Sequence, residues 1–175
     1  CTPSSSIPSV PGETNRVVQE GGLVIPQLLE MKQRVSLAGD RFALIKVKQW
    51  LALTSLQAGQ LRQIHRESLE GLVLLEHIQG HTHLAGYFSL CLATVYLEWN
   101  QLDEARQLLH QVIAHAAAWR QVDRLMWGYV LLSGLEIAAG NLRVAAQVLQ
   151  EEQFRRLEEQ GVYHFWRTSV QVLSL

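Results

Sequence analysis

The segment WNQLDEARQLL, residues 99–109, recurs in altered form along the chain. AGNLRVAAQVL occupies 139–149, AGQLRQIHRESL occupies 58–69, and the looser GGLVIPQLL occupies 21–29. The leucines that open these segments lie 38, 41 and 40 residues apart, at Leu23, Leu61, Leu102 and Leu142. A period of about 40 residues is typical of stacked helical hairpins, because one hairpin cannot bury its apolar faces alone. An unrelated helical bundle is the alternative, but a bundle requires no fixed period.

Each segment combines a tight turn with a leucine, and in the two later copies an alanine follows that leucine three residues on. The pairs are Leu102 with Ala105 and Leu142 with Ala145. We expect the leucine to fill the gap between two helices and the alanine to lie where their backbones come closest. Gly140 precedes the last pair, where a helix end favours a residue that is free to take positive φ.

Proline and glycine divide the chain into predicted helices. All 4 prolines lie within the first 26 residues, and proline breaks a helix by removing a hydrogen bond. Residues 1–15, rich in Ser, Pro and Thr, are therefore predicted to be a linker or tail, and residues 16–175 an all-α domain. Glycines at 39, 59, 80, 140 and 161 follow apolar-periodic segments and mark helix ends, with hairpin turns near 59, 100 and 140. The predicted helices are 24–38, 41–57, 60–78, 83–98, 101–118, 121–138, 142–159 and 163–175.

The two helices of each predicted hairpin differ in character. LAGYFSLCLATVYL (84–97) and LMWGYVLLSGL (125–135) are apolar nearly all round, whereas QLDEARQLLHQV (101–112) is amphipathic. We therefore expect inner helices that are packed between neighbours along a concave side, and outer helices that face water. Asn100 is the predicted N-cap of the amphipathic helix, which has acidic residues in its first turn.

Four inner-helix positions form the predicted binding surface on the concave side. They are Gln49, Tyr87, Thr94 and Trp127. An aromatic ring beside hydroxyl and amide groups is suited to a sugar or a peptide segment, through stacking and oriented hydrogen bonds. The alternative is that Tyr87 and Trp127 fill the core between helices, since large aromatic residues are usually core residues.

Composition and charge exclude several classes of protein. The net charge is −1, from 15 Lys plus Arg against 16 Asp plus Glu, so direct binding to nucleic acid is not expected. The longest stretch without charge or histidine, residues 84–97, is too short to cross a bilayer, so no membrane association is expected. The 2 cysteines, Cys1 and Cys91, form no disulfide framework, which favours a reducing compartment such as the cytoplasm.

The sequence favours neither an enzyme nor a metal or cofactor site. His77, His81 and His83 occur as HIQGHTH, but zinc would need a fourth ligand, so we expect a solvated loop. Cys91 lies in an apolar segment and is interpreted as a buried structural thiol. Ser133 lacks the flanking glycines and the strand-turn-helix context of a nucleophile elbow.

The run VYLEWNQLDEARQLL (95–109) resembles the tetratricopeptide-like sensor region of MalT-type, LuxR-related bacterial transcription activators. The residues that carry the resemblance are Glu98, Trp99, Asn100, Leu102, Asp103 and Ala105. GYVLLSGLEIAAGNLRVAAQVL (128–149) is similar to the family's following repeat, and GVYHFWRTSVQV (161–172) to the start of another. The resemblance extends over about residues 40–175, is specific over 95–150, and is weak near Ile64 and His65, which depart from the pattern.

The resemblance implies a right-handed superhelical solenoid that acts as a sensor. In that family a nucleotide-switched ATPase precedes the superhelix and a helix-turn-helix follows it. The superhelix binds an inducer, which promotes self-association and activation of transcription. This chain has neither a G-x-x-x-x-G-K-[ST] segment nor a basic recognition helix, so it would be the sensor part alone, without ATP hydrolysis or specific binding to duplex DNA. The inducer would be a small molecule such as a sugar, or a partner protein. A stand-alone helical-repeat scaffold that docks a peptide segment is the second hypothesis.

Overall fold

The computed structural model describes residues 13–76 and 82–150, and the side chains of 24–76 and 84–150. These residues form helices and contain no strand, so the predicted all-α class is confirmed. The helices are α1 (Glu13–Ala38), α2 (Arg41–Gln57), α3 (Leu61–Glu76), α4 (Thr82–Glu98), α5 (Leu102–Ala118), α6 (Val122–Ala138) and α7 (Leu142–Gln150). No helix in the described ranges has both the length and the apolar character needed to cross a membrane.

The predicted boundaries of α2, α5 and α6, the start of α3 and the end of α4 are confirmed to within two residues, but α1 includes residues 13–23, which precede its predicted start at 24. It includes residues 13–15 of the predicted linker and continues through Pro26. Tertiary packing explains why the proline is tolerated, since Ile25 of α1 is buried against Val47 and Leu51 of α2. The predicted helix at 163–175 lies outside the described residues.

A single type of turn ends four of the described helices, α2, α4, α5 and α6. The residues with positive φ are Gly39 (73°), Gly59 (67°), Asn100 (58°), Arg120 (52°) and Gly140 (81°). After four of them the next amide N–H bonds to the carbonyl five residues back: Gln60 to Ser55, Gln101 to Tyr96, Gln121 to Ala116 and Asn141 to Glu136, at 2.7–2.9 Å. This is the Schellman motif, and it leaves only three residues between consecutive helices. The described turns therefore lie about 20 residues apart, which gives two turns for each helical hairpin of about 40 residues.

The prediction that Asn100 caps the start of α5 was wrong. Asn100 takes the left-handed conformation that ends α4, and Gln101 stands at the N-cap without a side-chain capping bond. The short turn has one left-handed position followed by one N-cap position, and asparagine is among the few residues that tolerate the first. Arg120 occupies the matching place between α5 and α6, where WRQV (119–122) parallels WNQL (99–102).

Successive helices pack against each other, and α4 also contacts α2 and α6, two helices away on either side. Eleven of the 17 residues of α6 are buried, which agrees with a helix that is covered by neighbours on several sides. Helix α5 instead buries a single stripe. The members of that stripe are Ala105, Leu109, Val112 and Ala116. The expected difference between apolar and amphipathic helices is thus present in α6 and α5.

The repeat positions differ in how deeply they are buried. Ala105 and Ala145 are fully buried, and Leu61 and Leu102 are partly buried against the main core. Leu142, in contrast, is 66% exposed and does not fill the gap between helices that its position predicted. The described part of α7 buries only Ala145 and Val148, which follow Leu142 by three and six residues.

Replacing Ala105 with tryptophan is expected to lower the free energy of unfolding by about 1–3 kcal/mol, because the bulky ring must displace the packed neighbours of a fully buried residue. Tryptophan at Gln107, which is exposed in the same helix, is the control and should have a much smaller effect. Thermal unfolding measures both variants, and equal losses would contradict the packing described here.

Arg120→Gly is expected to raise the free energy of unfolding by about 0.5–1 kcal/mol, because glycine removes the steric cost of the left-handed conformation. Asn100→Gly should give a smaller gain, since asparagine tolerates this conformation better. Gln107→Gly, inside α5, should instead cost about 1 kcal/mol. Denaturant titration tests the series, and a loss at Arg120 as large as that at Gln107 would disprove the turn geometry.

Candidate functional site

The first of three polar clusters between helices joins α1, α2 and α3. Glu67, at 0% exposure, accepts hydrogen bonds from Lys32 Nζ at 2.7 Å and from Lys48 Nζ at 3.0 Å. Lys48, itself buried, also donates to Glu70. Both buried charges in this cluster thus have partners of opposite sign, which is what allows them to remain charged in the interior.

The pKa values of this cluster agree with a structural role. Burial acts to lower the pKa of Lys32, but its hydrogen bond and ion pair with Glu67 outweigh this and raise it. Burial acts to raise the pKa of Glu70, but the hydrogen bond and charge of Lys48, together with Lys32, lower it. Lys32 and Glu70 therefore stay charged over the neutral pH range, and their ion pairs help to hold α1, α2 and α3 together.

The second cluster joins α5 to the end of α6. The buried carboxylate of Glu136 accepts hydrogen bonds from Arg106 Nε and from Asn141 Nδ2, each at 2.8 Å. The bond from Arg106 is the main reason that the pKa of Glu136 lies below its ordinary value. This cluster is also complete, and it reinforces the turn that follows α6.

The third cluster joins α4 to α6. It is incomplete, in the sense that one of its buried charged groups lacks hydrogen-bond partners. Tyr87, in the second turn of α4, donates its hydroxyl hydrogen to Asp123 Oδ2 at 2.5 Å. The guanidinium carbon of Arg124 lies 4.3 Å from the centroid of the Tyr87 ring. Arg124 is 7% exposed, and its Nε and Nη1 atoms have no hydrogen-bond partner. Among the Lys, Arg, Asp and Glu side chains of the described residues, Arg124 alone has buried nitrogen or oxygen atoms left in this state.

The backbone of α4 positions the arginine. A Cβ atom at Gly86 would lie 3.0 Å from Arg124 Cδ, so the absence of a side chain there lets the arginine stem lie against α4. Burial, followed by the hydrogen bond to Asp123, raises the pKa of Tyr87, although Arg124 acts in the opposite direction. Tyr87 therefore stays a neutral donor, with its ring beneath a cation and its hydroxyl engaged by a carboxylate.

The structure separates the four predicted binding residues. Tyr87 is half-buried and belongs to the third cluster, whereas Gln49 is half-buried on α2. Thr94 is 2% exposed and its hydroxyl donates to the Leu90 carbonyl, so its placement on an open surface was wrong. Trp127 is 6% exposed within the main hydrophobic core, in agreement with the alternative that this aromatic residue fills the core.

Sequence reasoning missed Asp123 and Arg124. Charged residues in the first turn of a helix are usually solvated, and we examined aromatic and hydroxyl side chains instead. The available signal was the position of Arg124, which immediately precedes the apolar run of α6 and therefore lies on a helix with little exposed surface.

Other candidate groups take part in internal packing or lie outside the described residues. Burial raises the pKa of the Cys91 thiol to about 12, and Ser133 Oγ donates to the Ala145 carbonyl at 3.3 Å. Within residues 13–76 and 82–150 no three potential metal ligands come together. The predicted histidine loop, HIQGHTH, lies outside the residues whose side chains are described.

Two open clefts elsewhere on the described surface lack an incomplete polar group. A cleft of about 520 Å³ lies at the start of α3 and reaches Trp99, whose ring is 5.0 Å from that of His65. A second, of about 460 Å³, is bordered by Lys32 and Lys48, which already have carboxylate partners. The third cluster is therefore the stronger candidate for a functional site.

Comparison with known proteins adds no further assignment. No family model matches the chain, and no curated protein is detectably similar to it.

Glu67→Gln is expected to lower the free energy of unfolding by about 3 kcal/mol, because a neutral amide leaves the buried Lys48 ammonium without its buried counter-charge. Glu30→Gln removes an exposed ion pair with Arg34 and is the control, with an expected loss below about 1 kcal/mol. Urea titration compares the two variants. Equal losses would show that solvent screens the first cluster as well.

Proposed function

We propose that the chain is the ligand-sensing module of a cytoplasmic, MalT-type transcription regulator, built as a tetratricopeptide-like, right-handed superhelix. The sequence resemblance over residues 95–150 supports the family, and the sequential packing of the helices agrees with it. The observation that carries a binding role is the Tyr87–Asp123–Arg124 cluster between α4 and α6.

This cluster supports binding because it interrupts an otherwise apolar contact. Helices α4 and α6 are the most apolar of the described helices, and a charged arginine between them is costly unless it has acceptors. Proteins leave a buried charge without partners mainly at functional sites, where a ligand supplies the missing hydrogen bonds and counter-charge. Since the other two clusters are complete, the same explanation is not needed for them.

The position of the cluster also suits a sensor. Tyr87 and Asp123 are 36 residues apart and belong to helices separated in the chain by α5. A ligand held by both helices would favour one relative placement of neighbouring repeats over others, and a sensor requires such a difference in affinity between two states. In the proposed regulator this preference would control self-association.

Exposed tryptophans favour a second candidate, a scaffold that docks a peptide segment of a partner protein. Trp50 on α2 and Trp119 at the end of α5 are largely exposed, and large exposed aromatic residues are common at protein interfaces. The two candidates differ in the location of the decisive residues, because neither tryptophan belongs to the third cluster.

Tyr87→Phe separates these candidates, because it removes one hydroxyl and keeps the ring. A thermal-shift panel of sugars, amino acids and phosphorylated metabolites is expected to yield a ligand of the unaltered chain. That ligand should bind Tyr87→Phe roughly tenfold more weakly, because the variant loses the hydrogen bond to the Asp123 carboxylate that joins α4 to α6 in the site. Tyr96→Phe is the matched control, since Tyr96 is half-buried on the same helix but contacts His65.

The contrary results are equally definite. If a ligand binds both tyrosine variants as well as the unaltered chain, the third cluster is not the sensing site. If only peptides bind, and truncation of Trp50 or Trp119 abolishes that binding, the scaffold is correct. The complete coding sequence tests the family proposal separately, through an ATPase upstream and a helix-turn-helix downstream.

A further inference from the structure

We infer that the ligand of the third cluster carries an oxyanion, a carboxylate or a phosphate, and that Arg124 binds this group. The inference rests on the proposed binding role of the cluster and specifies the chemistry of its ligand. It depends on three features of Arg124: a charge that cannot be removed, donors without acceptors, and a carboxylate neighbour that is already engaged.

The charge of Arg124 cannot be relieved by losing a proton. A guanidinium stays protonated in proteins, so its burial at 7% exposure has to be compensated by interactions. The Tyr87 ring supplies one, since a cation over an aromatic face is attracted by the ring. That interaction covers one face of the planar group and leaves the Nε and Nη1 donors without acceptors.

The nearest acid in the sequence does not supply the missing acceptor. Asp123 binds the Tyr87 hydroxyl, and no ion pair joins it to Arg124. The buried charges in the other two clusters do have partners of opposite sign, since Lys48 pairs with Glu67 and the carboxylate of Glu136 pairs with Arg106. Arg124 is thus the exception among the buried charged groups of the described residues. An oxyanion from a ligand would supply the counter-charge and hydrogen-bond acceptor that the Glu67 carboxylate supplies to Lys48.

The shape of the unused donors selects the ligand chemistry. Guanidinium N–H groups are charged donors in a rigid, fork-shaped plane, so Nε–H and Nη1–H of Arg124 each favour an oxygen of a carboxylate or phosphate as acceptor. Three residues earlier, Gln121 Oε1 is buried without a partner, and the Gln121 side chain makes no capping bond to α6. Residues three apart share a helix face, so an acceptor at Gln121 together with the donors of Arg124 suits a small molecule in which a hydroxyl neighbours the oxyanion. Tyr87 is half-buried, so the cluster reaches the surface of the protein at this residue.

The test uses the 175-residue chain with three matched probes. Lactate presents a carboxylate beside a hydroxyl, glycerol 3-phosphate presents a phosphate, and glycerol is the neutral analogue. The Nε–H resonance of Arg124, assigned by its loss in Arg124→Met, is followed during each titration at constant ionic strength in chloride. We expect a saturable shift with lactate or glycerol 3-phosphate, and which of the two binds more tightly identifies the oxyanion.

Stability measurements on variants separate a binding role from a packing role. Arg124→Met keeps the length of the side chain and removes the buried charge, so without probes its melting temperature should be unchanged or higher. The rise in melting temperature with the oxyanion should disappear in this variant and persist in Arg143→Met, whose arginine is exposed on α7. Arg124→Lys should weaken binding at least tenfold, since an ammonium lacks the fork geometry.

Three results would overturn the inference. The first is an Arg124 Nε–H resonance that neither oxyanion shifts at concentrations up to about 50 mM, which is well above the Kd expected for specific binding of fragments this small. The second is a response that Arg124→Met retains. The third is an effective ligand that is neutral, such as a sugar whose binding depends on the Tyr87 hydroxyl. This last result rejects the inference that the ligand is an oxyanion but preserves the proposed ligand-sensing function. If no ligand depends on Tyr87, the inference and the proposed function both fail. If Arg124→Met does not fold, Arg124→Lys supplies the assignment, because it also lacks the guanidinium Nε–H, and the titration of the unaltered chain decides.

Discussion

A three-residue turn containing one left-handed residue sets the geometry of the described chain. It ends one helix with a Schellman motif and places the N-cap of the next helix immediately afterwards, as at Asn100 and Gln101. The chain therefore reverses direction abruptly, and neighbouring helices are packed against each other along their lengths. Four of the described helices are 17 residues long, namely α2, α4, α5 and α6, so their apolar faces match in extent. The burial pattern, the core and the polar clusters all depend on this regular alternation.

The alternation also explains why a polar cluster at the contact of α4 and α6 is informative. Helices two apart in the chain meet along the same side, as α4 meets α2 and α6. A residue at such a contact is covered from more than one direction, so an unsatisfied charge cannot turn towards solvent as it would on α5. The incomplete state of Arg124 is therefore a property of its place in the fold.

The sequence predicted the regular parts of this architecture and missed its exceptions. Glycine and apolar spacing located the helices because both reflect local physics, and Gly39, Gly59 and Gly140 do take positive φ. Arg120 could not be recognised in the same way, since arginine carries no preference for that conformation, although the predicted helices 101–118 and 121–138 do leave a turn at its position. The candidate site was predictable only in Tyr87. The burial of Thr94 and the isolation of Arg124 depend on which helices meet, and a single sequence does not specify those contacts.

The regular turn has a consequence for how such a chain can change length during evolution. Loss or gain of one 20-residue helix with its turn would reverse the direction of every later helix, and the apolar helices would exchange places with the amphipathic ones. Loss or gain of two helices leaves every later helix with its original direction and on its original side of the stack, so the remaining apolar faces still meet their partners. The unit of viable duplication is thus a pair of helices, although the unit of local structure is one. A parity rule of this kind would leave related chains with helix numbers that differ by two.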